Sequence, residues 1–157
     1  MNIEEIEAIK QLKARYFRYL DTKQWDRWGD VFTQDAVLDH PANRSEPLRG
    51  RGQIVETVSA GLANRVTIHH GHMPEIEITG EGTAKGIWAM YDLLLGPTPD
   101  GHGEARYEGY GHYLERYEKG ADGKWRIAHL HLRRLHLEIE QHKRDLDLSA
   151  FEQWERA

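Results

Sequence analysis

The hydrophobic period of this chain changes once, near Arg65, and that change limits the fold more than any other feature. Before it, apolar residues recur at helical spacing: Ile6, Ile9, Leu12, Tyr16, Tyr19 and Leu20 share one face, opposite Glu, Lys and Arg. After it they alternate. Glu75-Ile-Glu-Ile-Thr79 has period two, Gly80-Glu81-Gly82 turns, and Ala84 to Leu95 returns as a long strand. Ala105 to Tyr117 reads as another strand, and Ala121-Asp122-Gly123 as a hairpin turn into a last strand from Lys124 to Glu138. Gly96 to Gly103 is a loop by its Gly and Pro content. Helices first and antiparallel strands later describe an α+β domain, with N-terminal helices packed over a cone-shaped, curved, mostly antiparallel sheet. Gly86, Gly109 and Gly111 within strands suit bulges or sharp curvature. A cone closed by helices can hold a pocket.

Shorter elements fill in the first third. Trp25, Trp28 and Phe32 recur at i, i+3 and i+7 and predict a second helix over 23–32, with Asp21 or Thr22 as its N-cap. Ala36-Val37-Leu38 predicts a short strand, and Ile54 to Leu62 a third helix after the Gly50-Arg51-Gly52 break. A length of 157 residues suits one domain with a real core. Residues 1–137 carry the pattern. Residues 138–157 form a charged C-terminal tail or helix of the same domain, with weak helical spacing at Leu148, Phe151 and Trp154.

Composition removes several functional classes. At 39% hydrophobic and 30% charged residues the chain is expected to be soluble and globular. No apolar run approaches the roughly 18 residues of a spanning helix, so no membrane is expected as a partner. The acidic, amphipathic start differs from a secretion signal, and cytoplasmic is the default location. The absence of cysteine excludes disulfides, thiolate metal sites and thiol nucleophiles together. With a net charge of −5 and Arg133-Arg134 the only basic doublet in the later strands, nucleic acid is not expected as a partner.

Among ten histidines, His69 opens the cluster His69-His70-Gly71-His72-Met73-Pro74. Strand alternation sets it on the face opposite His70 and His72. A buried carboxylate holding its imidazole in one tautomer would make it a proton abstractor near neutral pH. Asp21, at the end of the first helix, is the candidate partner, and capping the second helix is its alternative role. Tyr16 lies in the apolar stripe, so its hydroxyl needs an interior partner. Asp92 ends the face Ala84, Gly86, Trp88, Met90, and a carboxylate there demands either a functional partner or a salt bridge to Arg133 or another cation. The pairs His70/His72 and His129/His131 have metal-ligand spacing, but no third ligand is tied to either, so no metal is assigned.

These strings resemble the SnoaL-like branch of the nuclear-transport-factor-2-like (cystatin-like) superfamily. The resemblance rests on Tyr16-Phe-Arg-Tyr-Leu-Asp21 with Trp25, and on His69-His-Gly-His-Met-Pro-Glu-Ile76. Gly86-Ile-Trp-Ala-Met-Tyr-Asp92, Gly109-Tyr-Gly-His-Tyr113 and Asp122-Gly-Lys-Trp-Arg-Ile127 extend it, so that it runs from about Ile3 to Leu137. Within the superfamily the chain looks most like cofactorless lyases: bile-acid 7α-dehydratase, scytalone dehydratase and hexachlorocyclohexane dehydrochlorinase. The 48-residue gap between Asp21 and His69 is like theirs.

The resemblance implies a dehydratase-like lyase without a cofactor, acting on a small, ring-bearing substrate. His69 would be its base, Asp21 the orienting carboxylate, and Tyr16 and Asp92 the holders of the departing oxygen. Trp88, Met90, Tyr110, His131 and Trp25 are the candidate substrate-binding residues. It also implies a homo-oligomer, a trimer or else a dimer. The same dyad would serve C–C cleavage, isomerisation or epoxide opening. A non-catalytic ligand-binding or assembly domain is the third reading, and it expects Asp21 and His69 out of hydrogen-bond reach or sealed away from any cavity. Fold alone does not choose among these.

Overall fold

Helix α1 (Ile3–Asp21) turns Ile9, Leu12, Tyr16 and Leu20 inward, as its period predicts, and with them Lys13. A short α2 (Trp25–Gly29) follows, then β1 (Phe32–Asp39), β2 (Leu48–Arg49) and α3 (Arg51–Leu62). Four long strands complete the chain: β3 (Val66–Gly80), β4 (Thr83–Pro97), β5 (Gly103–Lys119) and β6 (Trp125–Lys143). The computed structural model describes residues 3–41, 45–98 and 100–143. Among them no helix is long and apolar enough to cross a membrane.

The six strands form one curved, unclosed sheet in the order β2-β1-β6-β5-β4-β3. All pairings are antiparallel except β1 with β6, because β1 enters the sheet directly after the helices and lies beside the last strand. The helices cover one face, so alternation along each strand separates an inner face from an outer one. Trp88, Met90 and Asp92 of β4 and Tyr113, Glu115 and Tyr117 of β5 are buried on the inner side. Tyr91, Tyr110 and Leu114 occupy the outer side of the same two strands. Gly71 brings α1 close to β3, because a Cβ there would lie 2.7 Å from Cζ of Phe17.

Three expectations change. The second helix stops at Gly29, and Phe32 instead begins β1, fully buried opposite Ile127. Neither Asp21 nor Thr22 caps that helix: Gln24 is the N-cap without a side-chain bond, and Thr22 Oγ1 donates back to the Arg18 carbonyl at 2.6 Å. The tail expected from 138 is strand as far as 143, since Lys143 still pairs with Gly103. Leu148, Phe151 and Trp154 lie outside the described residues.

Candidate active site

Asp21 is the last residue of α1, where a carboxylate is poorly placed against the helix dipole and needs donors from elsewhere. β3 supplies them. The Thr67 hydroxyl donates to Asp21 Oδ1 at 2.9 Å, the His69 backbone N–H to Oδ2 at 2.8 Å, and His69 Nδ1 lies 2.7 Å from Oδ1. Lys23 Nζ donates to Thr67 Oγ1 at 2.7 Å and closes the network from the other side. An ionised Asp21 can only accept, so the neutral imidazole that fits this contact carries its proton on Nδ1 and its lone pair on Nε2. His69 is buried while His70 and His72 are exposed.

His69 walls a cavity of about 130 Å³ together with Tyr16, Asp92, Tyr113 and Arg134, under Val58 and Leu62 of α3. An apolar cavity of about 150 Å³ admits benzene, so this space suits one ring. Burial pushes the Tyr16 phenol well above its ordinary pKa, and the carboxylates of Glu115, Asp21 and Asp92 push the same way. Tyr113 is raised likewise, by burial first and then by Tyr16, Asp92 and Glu115. Both phenols therefore stay protonated and can donate. Asp92 is taken up by Arg134 in a bidentate pair, Nη1–Oδ1 at 2.9 Å and Nη2–Oδ2 at 2.7 Å. Gly109 makes the room, since a Cβ there would overlap Nη1 of Arg134 and Oδ1 of Asp92.

Tyr16, Asp21, His69 and Asp92 are thus gathered at one place, although Asp92 is satisfied by a cation and Tyr16 is held by ring packing against Lys13, Phe17, Trp28, Phe32 and Tyr113. The substrate-binding candidates are placed differently. Trp88 and Met90 are on the inner face but deep in the core, with Trp88 Nε1–H donating to the Tyr117 hydroxyl at 2.8 Å. Trp25 is half-buried, edge-on to Trp28, and stands off the cavity wall. Tyr110 faces outward, opposite Tyr91, because Gly109 and Gly111 take the inner positions; its hydroxyl donates to Glu108 at 3.0 Å. His131 also faces outward, between the inner Leu130 and Leu132, and pairs with Asp39 at 2.8 Å. It borders an open groove of about 760 Å³ with His129, Arg116 and Leu114, which contains neither His69 nor Asp21.

Sequence reading missed Arg134 and Tyr113. Arg134 follows the inner-facing Leu132 by two, a signal present in the sequence, but β6 bulges beyond it and its strand partner cannot be read in advance. The pairs His70/His72 and His129/His131 gain no third ligand among the described residues.

Residues 1–131 match the SnoaL-like domain, and the chain belongs to that family. Its α+β architecture is that of the nuclear-transport-factor-2-like fold. Three solved structures show the similarity. A candidate scytalone dehydratase from Novosphingobium aromaticivorans superposes with a TM-score of 0.74 at 21% identity, covering 87% of this chain and 88% of its own. A protein of unknown function from Mycobacterium tuberculosis gives 0.69 at 28% identity, over 85% and 77%. A type 3 hexachlorocyclohexane dehydrochlorinase from Novosphingobium barchaimii gives 0.68 at 20%, over 88% and 91%.

Proposed function

We propose that the chain is a small-molecule lyase of the dehydratase type, with His69 as the base. The observation that carries this reading is the Asp21–His69 contact at 2.7 Å in the wall of a cavity sized for one ring. His69 Nε2 takes a proton from a carbon acidified by a neighbouring carbonyl or aryl group. Asp21 orients the ring and stabilises the imidazolium, as the carboxylate of a triad does. The C–H electron pair becomes the new C=C bond as the C–O bond breaks, and the proton leaves with the hydroxyl as water. The dyad is then back in its starting state. Tyr16 donates to a substrate oxygen, and the Asp92–Arg134 pair is a fixed polar wall. Two structural relatives, a candidate scytalone dehydratase and a dehydrochlorinase, support an elimination. The Asp21–His69 contact, and the place of His69 in a cavity wall, favour this reading over a non-catalytic domain.

A panel of one-ring β-hydroxy ketones and 2-arylethanols, followed by the absorbance of the conjugated product, tests the proposal. The wild type should release water from at least one, and His69→Ala should not; equal rates in both would end it. Self-association belongs to the same reading, supported by Tyr110, Ile87 and Ile68 exposed on the outer sheet face. Light scattering should give the mass of a trimer or dimer, and a monomer at micromolar concentration would remove that part.

A further inference from the structure

The turn after α1 keeps a lysine where glycine is the easier residue. Gln24 N–H donates to the Tyr19 carbonyl at 2.8 Å and Lys23 N–H to that of Leu20 at 3.2 Å. This crossed pair of bonds closes a helix through one left-handed residue. Lys23 is that residue, with φ 59°, and it is one of two non-glycine residues with positive φ among those described. A side chain there strains the backbone, and a glycine would not. The strained residue sends its side chain to the support of the dyad: Nζ donates to Thr67 Oγ1 at 2.7 Å, 44 residues along the chain. The ammonium lies 5.7 Å from the Trp25 ring centre, which sets that tryptophan beside the cation rather than in the cavity.

Thr67 is 4% exposed, and its hydroxyl has one proton to give. An ammonium only donates, so Lys23 occupies an oxygen lone pair and leaves that proton for Asp21 Oδ1, 2.9 Å away. The same Oδ1 takes His69 Nδ1 at 2.7 Å, and Oδ2 takes the His69 backbone N–H at 2.8 Å. Three donors from one strand thus fix the carboxylate. Its side chain is 22% exposed, so water is at hand to replace a lost donor. We infer that Lys23 and Thr67 are positioning residues of the Asp21–His69 dyad. The ammonium aims the hydroxyl, the hydroxyl holds Oδ1, and Oδ1 holds the imidazole proton at Nδ1. Resting on the lyase reading, this means that the base is set from outside the cavity, by two side chains that do not line it.

Solvent exchange of the His69 Nδ1 proton, read by nitrogen-15 NMR of the ligand-free protein at neutral pH, tests this. The wild type should show a protected Nδ1–H. Lys23→Gly relieves the backbone and removes the ammonium, so the protein should stay folded and still exchange that proton about tenfold faster or more, while the β4 backbone amides keep their rates. Thr67→Val should do the same, and the double variant should be no faster than either single one, because the two act in series. Thr67→Ser, which keeps the hydroxyl, should stay within about threefold of the wild type. On a true substrate the loss in Lys23→Gly should fall on kcat, about tenfold, with KM within about twofold. An absent Nδ1–H signal in the wild type, unchanged exchange in the folded Lys23→Gly variant, additive effects in the double variant, equally faster β4 amides, or a loss on KM alone would overturn the inference. If the glycine variant does not fold, Lys23→Met, which keeps the stem and loses only the ammonium, decides by the same signal. Exchange is read without turnover, so a failed lyase assay and a failed positioning role are separate results.

Discussion

Two His–Asp pairs in this molecule have nearly the same geometry and different surroundings. Asp21 and His69 meet at 2.7 Å on the inner face, Asp39 and His131 at 2.8 Å on the outer face. The inner histidine side chain is 8% exposed and walls a cavity with Tyr16, Tyr113, Asp92 and Arg134. The outer pair is 27% and 31% exposed and ties β1 to β6 beside an open groove. A short Nδ1–carboxylate contact therefore does not define a catalytic site. What separates the two is their surroundings: the inner histidine is buried in a cavity wall shared with protonated phenols, and the outer one lies partly exposed beside an open groove. Water competes for the second imidazole and screens its partner, which leaves such a pair with little energy to spend.

The largest difference expected between the pairs is catalytic. His69→Ala should lower turnover on a true substrate by about 10²–10⁴-fold, the usual share of a positioned base, while His131→Ala stays within about twofold. Equal losses would erase the distinction. Asp21→Asn should follow closely, with a loss of about 10²-fold or more, because the amide can present N–H to Nδ1 and favour the wrong tautomer. Asp39→Asn is its outer control in the same steady-state assay.

Stability separates the faces next. Gly109→Ala should cost about 3 kcal/mol in urea unfolding, since the new Cβ occupies the space of the buried Asp92–Arg134 pair. Asp39→Ala, which opens a half-exposed pair, should cost about 1 kcal/mol or less. A larger loss from the outer variant would show that the groove, not the cavity, is the better-built region.

The smallest effect is the pH response of the outer face. Burial, and then the charge of Arg116, hold His129 below its ordinary value of 6.5. Between its folded value and 6.5 the unfolded chain binds more protons, so stability rises with pH through that window and falls on acidification. The urea midpoint should drop between about pH 7.5 and 5.5, and less in His129→Gln than in the wild type. An unchanged pH response in that variant would place the titrating group elsewhere.

Much of this was legible in the chain itself. The change of period near Arg65 foretold helices over a curved sheet, and alternation set His69 opposite His70 and His72. Facing was less legible where glycines interrupt a strand. Tyr110 between Gly109 and Gly111 offers no apolar neighbour to mark its side, and it faces outward. Lys13 shows the opposite failure. Its charge argued for solvent, yet Glu115, 102 residues away, draws it fully inside.

Local periodicity, turn residues and the order of elements are written along the sequence, because they depend on neighbours a few residues apart. They determined the α+β class, the family pattern and the side of β3 on which His69 stands. Register between distant strands, the partner of each buried charge and the presence of an enclosed space depend on residues far apart in the chain. Only the tertiary structure decided that Asp21 leaves its helix end for β3, that Asp92 is claimed by Arg134, and that one His–Asp pair closes over a cavity while the other opens to water.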